Sequence, residues 1–302
     1  MCHSREVNTT GKEVAFDVVV VGSANLDLVA TLDHLPKPGE TIVALDYAEH
    51  AGGKGVNQAV ACARMGARTA FVGCMGNDDA GTFLRGVLEN EGIDTTMLRV
   101  VDMPTGRAFI NVDSRGENEI VVVSGANTQV GVAQNPLVLP TSRVLLMQLE
   151  IPLATVSAAL TLARKSGTLT VLNPAPYKSL TEDVLSLVDV IVPNETESAA
   201  CGGTNALLKA GVATVVTTLG EKGAVINTAS SETSIAPHKV VAVDTVGAGD
   251  AFIGALSAEL ARGAIISDAA SEGAVAGALA TTVHGAVPSL PKQDVVRKAM
   301  GK

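Results

Sequence analysis

Phe16 to Val21 reads FDVVVV, an unbroken apolar run rich in β-branched residues that ends at Gly22. Such a run fits a strand covered on both faces, as inside a parallel sheet, because a strand with one wet face would alternate apolar with polar. Shorter runs of the same kind recur at Thr69 to Val72, Val144 to Met147, Leu169 to Leu172, Val188 to Val192 and Thr214 to Thr217, each bounded by polar, Gly or Pro positions. Between several of them the apolar spacing changes to three and four residues. Lys54 to Met65, Ala80 to Glu89 and Leu153 to Lys165 are therefore predicted as helices. Strands alternating with helices predict an α/β fold with a doubly wound, mostly parallel central sheet flanked by helices.

Two segments break this rhythm, because Glu40 to His50 and Gly106 to Val123 carry strand residues with no helix between them. They predict a small antiparallel β-sheet lid on the main sheet. Ala269 to Val283 is crowded with Gly, Ala and Thr and holds one charge, Glu272, which predicts a helix packed closely on the sheet. No repeat or low-complexity tract interrupts the chain. The expected organisation is an N-terminal extension over residues 1–15 and a single α/β domain over 16–302, with a lid from about 40–50 and 106–123.

Composition narrows the function. The 302 residues are 47% apolar, enough for a sizeable core. A formal net charge of -9 repels phosphate backbones, so no nucleic-acid partner is expected and any phosphate site must be local. The apolar runs fall far short of the roughly 20 residues a membrane helix needs, and the start, MCHSREVNTTGKEV, lacks the apolar core of a signal peptide. A cytoplasmic protein with no membrane partner is the expectation. Cys2, Cys62, Cys74 and Cys201 form no CxxC pair and are expected to be reduced. With no Trp and 2% aromatics, a bound purine would sit between aliphatic walls.

The richest chemistry lies in DTVGAGDAFIGA, Asp244 to Ala255, where glycines precede an acid and a helix begins. Free N–H groups at a helix start form an anion cradle. Asp250, at its mouth, is either a cap stabilised by the helix dipole or a base facing a hydroxyl presented to a phosphoryl group. AGGKGVNQAVA, Ala51 to Ala61, is not a Walker A loop, since Gly55 rather than Ser or Thr follows Lys54. Lys54 and Asn57 either face a ligand from the first helical turn or are solvated. In GSANLDLVA, Asn25 and Asp27 interrupt apolar β sequence just past the first strand, where ligands of α/β sheets gather. A buried carboxylate must be hydrogen-bonded, to backbone amides or to sugar hydroxyls. Glu150, Asn173 and Asn194 to Glu197 follow three further strands and outline a cleft at the same edge, whose carboxylates suit magnesium and its waters. Asn194 is equally a helix cap.

Together these segments resemble the ribokinase-like sugar kinases, from about Phe16 to Lys298. Both signature regions of that family are present in order, the Gly-Gly-Lys-Gly helix start and DTVGAGD. GSANLDL, MQLE, NPAP, NETE, TLGEKG and HGAVPS also match at their places. The resemblance implies a lid that closes over the sugar and pairs in a homodimer. It implies transfer of the γ-phosphoryl of ATP to the 5-hydroxyl of D-ribose, giving ribose 5-phosphate and ADP, with Mg2+ accompanying ATP and K+ as a monovalent activator. On matching positions, Asn25, Asp27, Gly53, Lys54, Asn57 and Glu150 would hold the sugar. Asn194 and Glu197 would act on the magnesium-phosphate side, and Thr218 and Gly220 would lie along the nucleotide. Gly247, Ala248 and Gly249 would form an anion hole beside the base Asp250. Asp244, Val246, Ala280, Val283, Gly285 and Ser289 would enclose the monovalent cation. One departure stands out: CGGTNALLKAGVATVV, after NETE, is briefer than usual, so a helix there is expected to be shortened or lost.

Kinases of the same family acting on a nucleoside, fructose or a keto-deoxy acid are the near alternatives. A NAD-dependent dehydrogenase would need a GxGxxG after the first strand, which is absent. A non-catalytic sugar sensor on this fold would bind sugar but release no ADP.

Overall fold

The computed structural model describes residues 14–302. The expected extension therefore lies, through residue 13, outside the described residues, as does Cys2. In chain order the first half forms β1 (Phe16–Val21), β2 (Asn25–Thr31), β3 (Asp46–Gly52), α1 (Lys54–Arg64), β4 (Thr69–Gly76), α2 (Asp79–Asn90), β5 (Leu98–Val101), β6 (Gly106–Val112), β7 (Asn118–Val123) and β8 (Ser142–Met147). The second half forms α3 (Leu153–Ser166), β9 (Leu169–Leu172), α4 (Glu182–Leu185), β10 (Val190–Ile191), α5 (Glu195–Ala200), α6 (Thr204–Lys209), β11 (Thr214–Thr218), β12 (Ala224–Asn227) and β13 (Glu232–Ile235). Four helices close the chain, α7 (Ala248–Ala261), α8 (Ile266–Ala280), α9 (Ala286–Ser289) and α10 (Gln293–Ala299).

Nine strands make the main sheet in the order β13-β12-β11-β10-β9-β8-β1-β4-β5. All its pairings are parallel except β11–β12 and β12–β13 at one edge. The FDVVVV run occupies β1, paired on both sides by β4 and β8. Successive side chains of a strand point to opposite faces. Val18 and Val20 accordingly join one core layer with α1, α7 and α8, while Val19 and Val21 join the other with α3. Each fully buried valine contributes roughly 1.5–3 kcal/mol, which fixes β1 at the centre. Strand order reverses at β1, since the chain moves outward through β4 and β5 and then returns through β8. A crevice opens at such a switch point, beyond the carboxyl ends of the strands.

The expected helices over Lys54 to Met65, Ala80 to Glu89 and Leu153 to Lys165 agree with α1, α2 and α3 to within one residue at each end. Asp78 caps α2 by accepting the Gly81 N–H at 2.9 Å, and Gly167 ends α3 in the left-handed region at φ 68°. Other bounds differ. Val188 to Val192 yields only Val190–Ile191, because the Asp189 carboxylate accepts the Thr170 N–H at 2.8 Å where a ladder bond would run. The helix expected over Ala269 to Val283 is Ile266–Ala280, ended where the Thr281 carbonyl turns to accept the N–H groups of Val243 and Asp244. The brief segment CGGTNALLKAGVATVV holds one short helix, α6, and α5 ends at Ala200 just before it.

A second sheet of four strands, β3-β2-β6-β7, stands apart from the first. It was expected to be antiparallel, from Glu40 to His50 and Gly106 to Val123. The strand at the first segment is Asp46–Gly52, and residues 40–45 lie outside it. Its inner strand is β2, which carries Asn25 and Asp27 and pairs antiparallel with β3 but parallel with β6. Among the described residues no helix is long and apolar enough to cross a membrane, and Cys62, Cys74 and Cys201 are free thiols.

Candidate active site

The carboxyl end of β1, the turn Gly22–Ser23–Ala24, the start of α1 and the segment after β8 meet at the switch point. Glu150 ties them together: its Oε2 accepts from Ser23 Oγ at 2.5 Å and from the Lys54 N–H at 3.0 Å, and Ser23 Oγ accepts the Gly55 N–H at 3.2 Å. A carboxylate at a helix N-terminus is favoured by the dipole, so this brace also anchors α1. Asn25 is buried on β2, and its Oδ1 accepts from Asn127 Nδ2 at 2.8 Å. Asn127 holds the turn as well, through Ala24 N–H at 2.9 Å and Ala24 O at 3.2 Å. That leaves the Asn25 amide nitrogen free to donate.

Asp27 is half-buried, and no hydrogen-bond donor reaches its carboxylate among the described residues. Its pKa is pushed up to about 7, first by burial and then by the charges of Glu150 and Asp250. A Cβ on Gly52 would land on this carboxylate, so the first glycine of the Gly-Gly-Lys-Gly segment makes the room Asp27 occupies. A buried acid without a donor suits a ligand that brings hydroxyl groups. Lys54 lies near Asp250, Glu150 and Glu197. Burial works against its charge, but the carboxylates of Asp250, Glu150 and Glu197 outweigh this and hold the ammonium above its ordinary value.

Asp250 is buried in the first turn of α7. Its two oxygens are clamped by neutral amides, Oδ2 by Asn57 Nδ2 at 2.9 Å and Oδ1 by Gln58 Nε2 at 2.9 Å. Asn57 Oδ1 is buried with no partner, an acceptor left for a ligand. Gly247 caps the helix at φ 82°, a conformation costly for residues with a side chain. A Cβ there would also stand 3.1 Å from Ala286 Cα. Among the described residues the N–H groups of Gly247, Gly249 and Asp250 have no partner, while that of Ala248 meets the Thr245 carbonyl at 3.3 Å. Unpaired N–H groups beside a carboxylate make the cradle that the sequence suggested.

The expected cation ligands lie behind this turn. Asp244 braces both arms, Oδ1 accepting the Val246 N–H at 2.9 Å and Oδ2 the Gly285 N–H at 2.8 Å. Ser289 Oγ donates to the Ala286 carbonyl at 2.7 Å, and the Ala280 carbonyl accepts the Val283 N–H at 3.3 Å. Farther along the sheet, Asn194 and Glu197 form a reciprocal capping box at the start of α5. It uses Asn194 Oδ1 and Glu197 Oε2, so Asn194 Nδ2 and Glu197 Oε1 are spare. Thr218, at the end of β11, donates its N–H to the Pro193 carbonyl at 2.9 Å and stands beside Asn194, with Gly220 two residues on at φ 58°. Exposed Val241, Val243, Val246 and Val283 supply aliphatic surface before and behind the α7 turn.

The structure thus gathers Asn25, Asp27, Lys54, Asn57, Glu150 and Asp250 at one edge, with the capping box along the sheet. Gln58, Ser23 and Asn127 escaped the sequence reading. Gln58 follows Asn57 directly, and one helical step of 100° removed it from the face assigned to the ligand. Asn127 lies in the turn Gly125–Gln129, which carries no periodic signal.

A doubly wound α/β sheet with a small second sheet, a half-buried acid carried on that sheet and a second acid beside unpaired N–H groups at a helix start define a small-molecule phosphotransferase. The match to the pfkB family of carbohydrate kinases spans residues 15–293, and the chain belongs to that family. It is 40% identical over 293 residues to the ribokinase of Haemophilus influenzae, covering 92% of this chain and 96% of the relative. Among solved structures it resembles the Thermotoga maritima ribokinase (TM-score 0.85, 36% identity, 94% and 99% of the two chains). It also resembles the Arabidopsis thaliana ribokinase complexed with ribose and ATP (TM-score 0.83, 31% identity, 94% and 98%).

Proposed function

We propose that this chain catalyses the ribokinase reaction, passing the γ-phosphoryl of ATP to the 5-hydroxyl of D-ribose to give ribose 5-phosphate and ADP. The observation that carries this is the pairing of two acids with distinct settings: Asp27, donorless on β2 of the second sheet, and Asp250, clamped beside unpaired N–H groups. The first suits sugar hydroxyls, the second a hydroxyl about to lose its proton. Full-length relatives that carry the ribokinase name support the choice of sugar.

Phosphoryl transfer passes through a loose transition state, so the protein's part is placement and charge. Asp250 accepts the hydroxyl proton as the new bond forms. The unpaired N–H groups of Gly247 and Gly249 face the charge on the transferring group, and Lys54, near Asp250, adds its own charge. Among the described residues no three His, Cys, Asp or Glu side chains converge on a metal position. Mg2+ suits this site as a partner of the ATP phosphates, with the spare Glu197 Oε1 and Asn194 toward its waters. Bound there, it neutralises phosphate charge.

For K+, the Asp244 carboxylate and the carbonyls of Val246 and Val283, which accept no N–H among the described residues, fit a weakly hydrated cation, with Ala280, Gly285 and Ser289 completing the set. The charge would hold the α7 turn in place. Initial rates at constant ionic strength, with K+ replacing a large organic cation, are expected to rise in the wild type and stay flat in Asp244→Ala. A flat wild-type response removes the ion from the account.

Binding should depend on pH through Asp27. Hydroxyl groups donate to the ionised form, so affinity for D-ribose is expected to fall about tenfold per pH unit below about 7 and to level off above it. Without sugar, the native state holds an extra proton at this raised carboxyl. Stability contributed here falls as pH rises from the ordinary value of 3.8 toward about 7. Calorimetric titration on both sides of pH 7 checks the first point, and a profile without slope would take Asp27 out of the sugar contacts.

The lid has an apolar surface as well. Tyr47, Phe109, Ile120, Val121, Val122 and Val123 are about half-exposed, and Val43 and Leu45 more so. Such a patch favours burial against a second copy, so we place a homodimer through paired lids. A panel of D-ribose, 2-deoxyribose, fructose and adenosine in one ADP-release assay tests the substrate. D-ribose is expected to give the highest kcat/KM, and preference for adenosine would reassign the chain to nucleosides.

A further inference from the structure

We infer that Gln58 is a positioning residue for the base, the middle of a chain of buried side-chain amides, Asn173–Gln58–Gln148, that holds the Asp250 carboxylate in one orientation. The inference rests on the kinase reading above.

The sense of the chain is set by an atom that cannot turn. The Val192 carbonyl only accepts, and Asn173 Nδ2 donates to it at 3.0 Å. That points Asn173 Oδ1 at Gln58, whose Nε2 donates to it at 3.2 Å. The second hydrogen of the same nitrogen goes to Asp250 Oδ1 at 2.9 Å. Gln58 Oε1 then accepts from Gln148 Nε2 at 2.6 Å. Both hydrogens of the Gln58 amide are used. Rotated by half a turn, it would set its oxygen against a carboxylate and a carbonyl. One arrangement is therefore available. Asn57 Nδ2 secures the other oxygen of Asp250, and the carboxylate plane is fixed from two sides.

This arrangement is poor as a device for stability. Gln58 and Gln148 are fully buried, Asn173 nearly so, and Gln148 Oε1 has no hydrogen-bond partner. An unpaired buried acceptor is costly. The contribution of the chain lies instead at its end, on Asp250. The charged groups near Asp250 are Lys54 from α1 and Asp27 from β2. Neutral amides orient the carboxylate without offsetting its charge, which a lysine or arginine at position 58 would do. A base turned away from the line of the hydroxyl loses turnover steeply, since misplacement by about 1 Å costs on the order of 10²-fold.

The test uses Gln58→Met, Gln148→Met and the double variant, each keeping length and apolar bulk. For Gln58→Met, kcat is expected to fall roughly 10- to 100-fold while the KM values for D-ribose and ATP stay within about twofold of the wild type. For Gln148→Met, a smaller fall in kcat is expected, because Gln58 loses the donor at its Oε1 but keeps its bond to Asp250. The double variant should be no slower than Gln58→Met alone, as residues acting through one another are not additive. A lowered Tm with wild-type kcat in Gln148→Met, or losses that multiply in the double variant, would overturn the inference. So would variants that keep kcat while the wild type turns over. A wild type without ribose-dependent ADP release would overturn the kinase reading and this inference with it.

Discussion

Asp250→Asn is expected to fold and to bind both substrates while losing about 10²–10⁴-fold in kcat, the range for removal of a general base. The substitution keeps the volume of the side chain in the first turn of α7. It changes what the oxygens can do. Asn57 Nδ2 and Gln58 Nε2 both donate to the carboxylate, and an amide there must set one NH2 group against another donor. The remaining oxygen is then held by a single donor and takes no proton. If Asp250 were only a cap, the helix dipole would be its reason for being there, and an amide would serve nearly as well. Initial rates of ribose-dependent ADP release decide between the two, and near wild-type turnover in the variant would reduce Asp250 to a cap.

Asp27→Ala should produce the second large effect, on binding rather than on turnover. A hydrogen bond to a charged group is worth about 1.5–3 kcal/mol, and a carboxylate without a protein donor has room for two hydroxyl groups. Two such bonds correspond to a loss of about 10²–10⁴-fold in affinity for D-ribose. In the proposed arrangement ATP lies at the other end of the cleft, beyond Asn194 and Thr218, so its affinity should change little. Calorimetry with each ligand separately measures both. Equal losses for sugar and nucleotide would mean that Asp27 supports the site as a whole and does not contact the sugar.

Much of this arrangement was legible because it is local. The FDVVVV run is buried on both faces as β1, and its unbroken apolar character follows from the two layers that cover it. The helices of the first half were readable from spacing, and DTVGAGD from its glycines. What escaped depends on partners far along the chain. β2 joins the lid instead of the main sheet because it pairs with β3 and β6, and nothing between Asn25 and Thr31 specifies those partners. The antiparallel strands β12 and β13 form a short, partly exposed edge with weak patterning. Gln58 lies one residue from a position that was singled out, yet its bond to Asp250 spans 192 residues. The roles of Asp244, Asn194 and Glu197 as braces also became visible only when their acceptor oxygens could be counted.

The central claim is transfer of a phosphoryl group to one particular hydroxyl of ribose, and the product shows it most directly. Wild-type protein incubated with ATP, Mg2+, K+ and D-ribose labelled with carbon-13 at carbon 5 can be followed by carbon NMR. The expected result is a carbon-5 signal split by phosphorus and growing in step with ADP, absent when Asp250→Asn is used for the same time. ADP without splitting at carbon 5, or no ADP at all, would contradict the account.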